Sequence, residues 1–190
     1  MKILENCKKL NNLLDKVRES GQKVGLIPTM GSIHDGHISL IKQSKKLNCY
    51  SIVSIFINPT QFNDKKDFEK YPQNRKKDIK KLSKIKCDAI YFPLNKEIYP
   101  SGLERNKTIF DYRNILCDKF RPGHFDGVTT VVLAIFNLVN PDFTFFGEKD
   151  FQQLKIINQL IKKYKLPIIN QACPSIRLKN GMSLSSRYIN

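Results

Sequence analysis

The sequence contains no apolar run of about 18 residues, the length needed to cross a bilayer, so a membrane-spanning helix is excluded. Its five cysteines lie far apart and never form a CxxC pair, which argues against a disulfide framework and against a zinc site. The N-terminal segment is charged and amphipathic and lacks the apolar centre of a signal peptide. We therefore expect a cytoplasmic protein with free thiols and no membrane partner.

Acidic residues are also scarce, because 17 Asp and Glu stand against 33 Lys and Arg and give a net charge of +16. The cations are mostly lysines that occur singly or in pairs on predicted helix faces. There is no dense arginine tract and no alternation of aromatic and basic residues of the kind that stacks bases. A solvated basic surface is therefore the favoured interpretation, and we expect no specific nucleic-acid partner. A nucleic-acid-binding face and the steering of small anionic substrates stay open as alternatives.

The hydrophobic pattern predicts a single α/β domain in which strands and helices alternate. The predicted helices span residues 3–19, 35–47, 74–85, 127–139 and 150–164. The predicted strands span residues 23–28, 50–57, 88–92, 143–146 and 166–172. Residues 93–119 are expected to be loop with short strands near 108–110 and 115–116. This alternation indicates βαβ units and a Rossmann-like, doubly wound parallel sheet.

The stretch KVGLIPTMGSIHDGHISLI, residues 23–41, reads as a strand, a glycine-bearing turn and the start of a helix. The free N–H groups of a first helical turn and the helix dipole together favour a phosphate at this place. His34 and His37 are three residues apart, so both project from one face of the turn and are able to donate to phosphate oxygens. Gly36 between them allows the backbone to come close to a ligand.

Short polar motifs follow three of the predicted strands: HDGH, NPTQF and GEKD. A parallel sheet binds its ligands at the carboxyl ends of its strands, so we expect these motifs to meet in one cleft. All three histidines of the chain lie in glycine-bearing turns, His34 and His37 in HDGH and His124 in RPGH. A functional role is favoured for each of them over a structural one.

Several other residues fit a site for a nucleotide and a small acid. Lys149 is able to neutralise a phosphate, and Asp150 to accept from a ribose hydroxyl, although GEKD alone also fits a simple capped turn. The neutral amide groups of Asn58 and Gln61 suit hydroxyl and carboxylate groups of a small substrate. Gln153, one turn into the next helix, is placed to face the same cleft.

The C-terminal segment LSSR, residues 184–187, follows a glycine-bearing loop. Two hydroxyl groups and an arginine suit a phosphate clamp, and an ordinary polar tail is the alternative. Asp78 is a candidate ligand for Mg²⁺, which ATP chemistry normally needs. As one acid among many, it also fits an ordinary exposed side chain.

The ordered segments IPTMGSIHDGH, SIFINPTQF, FRPGHFDGV, FGEKDFQQL and LSSR resemble the pantothenate synthetase (pantoate–β-alanine ligase) family. That family belongs to the HIGH-motif nucleotidyltransferase superfamily. The resemblance runs from about residue 23 to residue 187 and is weakest over 93–119. It implies a two-step reaction in which ATP and pantoate form a pantoyl adenylate and pyrophosphate, and β-alanine then displaces AMP to give pantothenate.

The resemblance also implies roles for individual residues. His37 would act as proton donor, with His34 beside it on the phosphates. Lys149, Ser185 and Arg187 would stabilise charge on the phosphates. Gln61 and Gln153 would hold pantoate, and Gln61 would also contact β-alanine. The implied ATP site consists of Met30, Gly31, Ser32, Ile33, His34, Asp35, Gly36, His37, Gly147, Glu148, Lys149, Asp150, Ile176, Leu184, Ser185, Ser186 and Arg187.

The chain departs from the family pattern at Gln73 and Tyr188, where Arg and Asn are usual. The family has a further small C-terminal domain, which we expect to be absent from this chain. Residues 1–175 would then form the Rossmann-like domain that binds ATP and pantoate, and 176–190 the start of a mobile phosphate loop. The resemblance further implies a homodimer. Two alternatives stay open: an HxGH nucleotidyltransferase with another acceptor, and an impaired, truncated remnant of the ligase.

Overall fold

The fold, taken from a computed structural model, is described for residues 1–105 and 111–186. The six strands of its sheet are β1 Lys2–Leu4, β2 Val24–Thr29, β3 Tyr50–Ile55, β4 Ala89–Tyr91, β5 Phe143–Gly147 and β6 Ile169–Cys173. The helices are α1 Cys7–Glu19, α2 Asp35–Lys46, α3 Lys65–Glu69, α4 Arg75–Lys84, α5 Asn95–Ile98, α6 Leu116–Phe120, α7 His124–Val139 and α8 Phe151–Lys163, and short 3₁₀ turns cover Pro59–Gln61 and Glu148–Asp150.

The six strands form one sheet in the order β1-β4-β3-β2-β5-β6, and every pair of neighbours is parallel. The chain builds outwards from β2 in one direction through β3 and β4, and in the other direction through β5 and β6. In a parallel sheet, such a reversal of strand order opens a crevice at the carboxyl ends of the strands. The predicted fold class, a Rossmann-like parallel sheet, is therefore confirmed.

Helices cover both faces of the sheet, as the apolar composition of the central strands requires. Leu26 of β2 packs with α1, α7 and α8, whereas its neighbour Ile27 packs with α2 and α4 on the opposite face. Both side chains are fully buried. The side chains of a strand alternate between its faces, so β2 contributes to both halves of the core.

Gly25 allows α2 to lie close against β2. A Cβ atom at this position would lie 2.4 Å from Ser44 Oγ and 2.9 Å from Cys49 Cβ. Neither neighbour can give way easily, because Ser44 and Cys49 are themselves buried. The close packing fixes the position of α2, and with it the position of the HDGH turn from which α2 begins.

The structure differs from the predicted elements in several places. Residues 3–19 do not form one helix, because Lys2–Leu4 pairs with β4 and the helix begins only at Cys7, where Asn6 caps it by accepting from Lys9 N. The strand predicted near 115–116 is wrong, since helix α6 begins there. The strand predicted near 108–110 lies outside the described residues.

Helix α7 begins at His124, three residues earlier than predicted. Gly123 precedes it with a φ of 76°, a left-handed conformation that glycine adopts without steric cost. His124 therefore belongs to the first turn of a helix and not to a loop. Among the helices of the described residues, none is both long enough and apolar enough to cross a membrane.

Candidate active site

The carboxyl ends of β2, β3 and β5 open onto a cavity of about 260 Å³. All three polar motifs that follow these strands contribute to its wall, as the sequence predicts. The predicted site residues in the lining are Met30, His34, Gly36, His37, Gln61, His124, Gly147, Lys149, Asp150, Gln153, Ile176, Leu184, Ser185 and Ser186. Seven other predicted and described residues do not line it: Gly31, Ser32, Ile33, Asp35, Asn58, Asp78 and Glu148. Arg187 lies outside the described residues.

The side chains of His34 and His37 lie next to each other at the start of α2, and each accepts a hydrogen bond from the backbone of the turn. The Nδ1 atom of His34 accepts from Gly36 N at 3.1 Å, and the Nδ1 atom of His37 accepts from His34 N at 3.4 Å. The ring centroids are 4.0 Å apart. A Cβ atom on residue 36 would lie 2.8 Å from Cε1 of His34, so the glycine makes room for the imidazole. Both rings are therefore fixed by the turn that carries them.

The electrostatic environment keeps both imidazoles neutral. Burial, together with the neighbouring His34, Lys149 and Lys81, lowers the pKa of His37 to about 3. Burial also lowers the pKa of His34, again with help from Lys149 and Lys81. Because each Nδ1 accepts a hydrogen bond, the single ring proton of each neutral imidazole lies on Nε2. Each histidine thus offers one N–H donor from Nε2.

Lys149 supplies the positive charge at this end of the cavity. It lies on the 3₁₀ turn after β5, and its Nζ atom is 2.9 Å from Oδ1 of Asp150. Its charge contributes to the lowered pKa of both histidines, so it acts on both rings. An ammonium group beside two imidazole N–H donors is a suitable environment for a phosphate group.

The backbone amides of the preceding loop have an unexpected partner. The carboxylate of Asp78 on α4 accepts from Ser32 N at 2.9 Å and from Ile33 N at 2.7 Å. Asp78 is only 3% exposed, and Lys81, one turn further along α4, donates from Nζ to the carbonyl oxygen of Ile33. The N–H groups of Ser32 and Ile33 are thus engaged by a carboxylate of the protein itself.

The sequence predicts that free N–H groups of this turn hold a phosphate. For Ser32 and Ile33, which donate to Asp78, and for His34 and Gly36, which donate to imidazole nitrogens, this prediction is wrong. The donors that this region contributes to the cavity lining are instead the side chains of His34, His37 and Lys149.

The described residues do not fit a metal ion held by the protein. They contain no group of three or more His, Cys, Asp or Glu side chains that could hold one. Both oxygens of Asp78 accept from backbone amides and lie inside the loop. This geometry favours a structural role for Asp78 over the predicted Mg²⁺ ligand.

A buried amide group holds Gln61 in place. Asn58 is fully buried, and its Nδ2 atom donates to Gln61 Oε1 at 3.1 Å and to the carbonyl oxygen of Gly127 at 2.9 Å. Its Oδ1 atom accepts from the hydroxyl group of Tyr99 and, at 3.2 Å, from Thr60 N. Because the oxygen of the Gln61 amide is engaged, its NH₂ group is the end suited to a substrate oxygen.

Helix α7 packs directly on the turn that carries Gln61. A Cβ atom on Gly127 would lie 2.6 Å from the carbonyl oxygen of Thr60 and 2.8 Å from Gln61 N. His124, at the start of the same helix, approaches the carbonyl oxygen of Gln61 with Nδ1 at 2.7 Å. The helix therefore fixes both the backbone and the side chain of this turn.

Two consecutive glutamines of α8 have different roles. Gln153 lines the cavity, as predicted. Gln152 is buried, and its Oε1 atom accepts from Cys117 N at 2.9 Å while its Nε2 atom donates to the carbonyl oxygens of Tyr112 and Ile115, each at 2.9 Å. Gln152 thus ties the loop before α6 to α8, and Gln153 points to the cavity.

Residues 176–186 cover one side of the cavity. Leu184 N donates to the carbonyl oxygen of Ile176 at 3.1 Å, and Gly181, with a φ of 84°, makes the turn between these two residues. Ser186 is buried, and its Oγ atom donates to the carbonyl oxygen of Ser32 at 3.4 Å. This segment is thereby connected to the loop that precedes the histidines.

A substantial part of the cavity wall could not be predicted from the sequence. Its apolar lining includes Phe56, Val128, Val131 and Ile135. The apolar pattern of 127–139 indicates a core helix, and nothing local reveals that one side of it faces a cavity. Arg121 also lines the cavity, and its place next to His124 in RPGH is the signal that could have identified it.

The family model described as Pantoate-beta-alanine ligase matches residues 2–190. The chain is 43% identical to the pantothenate synthetase of Shouchella clausii, over 98% of this chain and 62% of that protein. It is 47% identical to the enzyme of Buchnera aphidicola subsp. Acyrthosiphon pisum, over 98% of this chain and 66% of the relative. The chain thus spans about two thirds of the length of these curated relatives.

A solved structure of Francisella tularensis pantoate-beta-alanine ligase, complexed with beta-gamma ATP and beta-alanine, superposes with a TM-score of 0.94. It is 42% identical to this chain, and the match covers 99% of this chain and 72% of the other. Pantothenate synthetase from Thermus thermophilus superposes with a TM-score of 0.91 at 33% identity, over 100% of this chain and 67% of the other.

Proposed function

The chain belongs to the pantoate–β-alanine ligase family, and we propose that it joins pantoate to β-alanine, with ATP cleaved to AMP and pyrophosphate. The observation that carries the proposal is the meeting of His34, His37 and Lys149 with Gln61 and Gln153 around one cavity. The first three offer donors and charge to phosphates, and the two glutamines offer amide groups to a small acid. The names of the curated relatives and of the ligand-bound Francisella ligase support the same substrates.

In the first step, a carboxylate oxygen of pantoate attacks the α-phosphorus of ATP. The bond from that phosphorus to the bridging oxygen breaks, and pyrophosphate leaves. The Nε2–H groups of His34 and His37 donate to phosphate oxygens, and Lys149 neutralises charge that builds up on the leaving group. Neither histidine needs to exchange a proton, because charge and not a proton is redistributed in this step.

In the second step, the unprotonated amino group of β-alanine attacks the acyl carbon of the adenylate. A C–N bond forms, the bond from the acyl carbon to the phosphate oxygen breaks, AMP leaves, and the nitrogen releases one proton to the solvent. The rate of this step is raised mainly by orientation, since the adenylate and β-alanine are held next to each other. Gln61 and Gln153 hold pantoate for both steps, and the valines of α7 accept its methyl groups.

The other ATP contacts of this proposal are the remaining residues that the family resemblance implies, including Ser185, Ser186 and Arg187. Residues 1–175 form the binding domain, and 176–190 begin the phosphate loop. We propose that Mg²⁺ enters bound to the phosphate oxygens of ATP, since the described residues do not fit an ion held by the protein. The homodimer that the resemblance implies and the cytoplasmic location that the sequence predicts belong to the same proposal.

The test uses the 190-residue chain with ATP and Mg²⁺. We expect pyrophosphate release that depends on pantoate, and formation of pantothenate and AMP once β-alanine is added. Release of pyrophosphate without pantoate contradicts the ligase. Turnover with CTP or with another acceptor would identify a different nucleotidyltransferase, and ATP binding without turnover would identify an impaired remnant.

A further inference from the structure

We infer that Lys81 is a positioning residue for His37 and that it acts through the peptide unit between Ile33 and His34. This inference rests on the proposed function, in which His37 donates to a phosphate oxygen, and it assigns to that function a residue outside the cavity lining. Lys81 lies on α4 and is partly buried, and its side chain reaches the loop that precedes α2.

One peptide unit connects the lysine to the imidazole. The Nζ atom of Lys81 donates to the carbonyl oxygen of Ile33, and the N–H of the same peptide unit, which belongs to His34, donates to Nδ1 of His37 at 3.4 Å. A peptide carbonyl that accepts from a cation becomes more polar, and the N–H of that peptide unit then donates more strongly. Lys81 therefore strengthens the hydrogen bond that His37 accepts.

The length of this hydrogen bond makes the polarisation important. Backbone N–H groups usually donate over about 2.7–3.2 Å, so a contact of 3.4 Å is weak unless the donor is polarised. When Nδ1 accepts, the ring proton stays on Nε2, which is the nitrogen that donates to a phosphate in the proposed reaction. Lys81 thereby favours both the tautomer and the ring orientation of His37 that the reaction needs.

Asp78, three residues before Lys81 on α4, holds the other side of Ile33. Its carboxylate accepts from Ile33 N at 2.7 Å and from Ser32 N at 2.9 Å. Residues three apart on a helix lie on the same face, so α4 engages both peptide units that flank Ile33, whose side chain is fully buried. The peptide plane through which Lys81 acts is therefore fixed.

His34 provides an internal comparison. Its Nδ1 atom accepts from Gly36 N at 3.1 Å, and that N–H belongs to a different peptide unit from the one that Lys81 contacts. The effect through the backbone therefore reaches His37 and not His34. Through space the lysine acts on both rings: burial lowers the pKa of each histidine most, and the charge of Lys81 contributes in the same direction.

The test compares Lys81→Met and Lys81→Arg with the unmodified chain. Lys81→Met keeps an apolar stem and removes the ammonium group, whereas Lys81→Arg keeps a charged donor. Lys80→Met is the matched control, because Lys80 is the neighbouring residue of α4 and is exposed. Thermal unfolding reports whether each variant folds, and Lys81→Gln replaces Lys81→Met if that variant does not.

The first measurement is the nitrogen NMR spectrum of protein that is isotope-labelled at its histidines, recorded without substrate. The chain has only three histidines, so the spectrum of His37→Gln identifies the resonances of His37. We expect the Nδ1 resonance of His37 to move towards that of a free imidazole nitrogen in Lys81→Met, because the accepted hydrogen bond weakens. It should stay in place in Lys81→Arg and Lys80→Met, and the Nδ1 resonance of His34 should move less.

The second measurement is the rate of pantoyl adenylate formation, followed by pantoate-dependent exchange between ATP and pyrophosphate. We expect Lys81→Met to lower this rate by about tenfold, since the donor of His37 remains but is less well placed. Lys81→Arg should recover most of the rate, and Lys80→Met should match the unmodified chain. When His37 is already replaced by Gln, Lys81→Met should lower the rate by less than about twofold, because the ring on which it acts is absent.

The comparison with and without the imidazole decides the inference. An equal loss from Lys81→Met in both backgrounds would show that the lysine acts only through its charge on the phosphates, and this result overturns the inference. An unmoved Nδ1 resonance of His37 in folded Lys81→Met overturns it as well. Absence of pantoate-dependent exchange in the unmodified chain overturns the proposed function instead, and the NMR spectra, which need no substrate, still decide whether the peptide unit connects Lys81 to His37.

Discussion

The imidazole of His37 accepts from the backbone N–H of His34, and the two rings lie 4.0 Å apart. The first histidine is also the N-cap of α2, because its own Nδ1 accepts from Gly36 N. The turn therefore uses one nitrogen of each ring to stabilise the backbone and leaves the other nitrogen as a donor. Stability and phosphate binding depend on the same neutral form of both side chains.

This neutral form makes the stability of the protein depend on pH. The pKa of His37 is about 3 in the folded chain, against an ordinary value of about 6.5 in the unfolded chain. The unfolded state thus takes up a proton first, so stability should be lost as the pH falls from about 6.5 towards about 3. Urea unfolding at pH 7 and pH 5 should show a decrease of about 1–2 kcal/mol from His37. His37→Gln should remove this share, whereas His34, whose pKa is also lowered, keeps its own. An identical pH dependence in both proteins contradicts this prediction.

His37 should contribute more to the rate than to binding. In His37→Ala the Nε2–H donor is lost, and we expect the rate of pantoyl adenylate formation to fall by about 100-fold or more. The Kd for ATP should rise by less than about tenfold, because charge on the phosphates is greatest in the transition state. His37→Gln, whose amide N–H reaches nearly the position of Nε2, should recover part of the rate. Equal losses in rate and affinity would show that His37 serves only ground-state binding.

Asp78 should act through the loop and not through a metal ion. In Asp78→Asn one of the two amide donors, Ser32 N or Ile33 N, loses its acceptor, so we expect a loss of about 1–3 kcal/mol in the free energy of unfolding, measured without Mg²⁺. Glu69→Gln, on the exposed side of α3, is the matched control and should change little. A Mg²⁺ activation curve that shifts to higher concentration, with unchanged stability, would instead identify Asp78 as a metal ligand.

Gly127 should tolerate no larger side chain. The Cβ atom of Gly127→Ala would press on the backbone of Thr60 and Gln61, and we expect a destabilisation of about 1–3 kcal/mol with a raised KM for pantoate. Gly147→Ala is the control for stability, because the nearest atom to its Cβ lies 4.0 Å away and its φ of −77° suits any residue. Thermal unfolding of both variants tests the difference. Equal stability of the two would show that α7 can move away from the turn.

The fold and the site could be predicted most accurately where neighbouring residues determine both the structure and the chemistry. The apolar run 24–27, the turn after it and HDGH lie in one continuous stretch, so their geometry follows from local rules of strands and helix caps. The alternation of the other strands and helices then predicts that NPTQF and GEKD meet the same edge of the sheet. The cavity confirms that these motifs lie together.

Contacts between distant residues could not be predicted in the same way. Asp78 lies 45 and 46 residues from the amides it accepts from, and nothing in its local sequence distinguishes it from an exposed acid. The partner of Arg121 and His124, the carbonyl oxygen of Gln61, is at least 60 residues away. Residues 2–4 form a strand only because β4 offers an edge to pair with. Each of these outcomes depends on tertiary packing that overrides local preference.

The adjacent glutamines of α8 also have a mechanical consequence. Successive residues of a helix are turned by about 100°, so one helical turn carries both the anchor of residues 112–117 and the amide group in the cavity. Gln152 anchors that loop through three hydrogen bonds, and the next residue of the same turn lines the cavity. The loop before α6 and the cavity wall at Gln153 are therefore attached to one turn of α8.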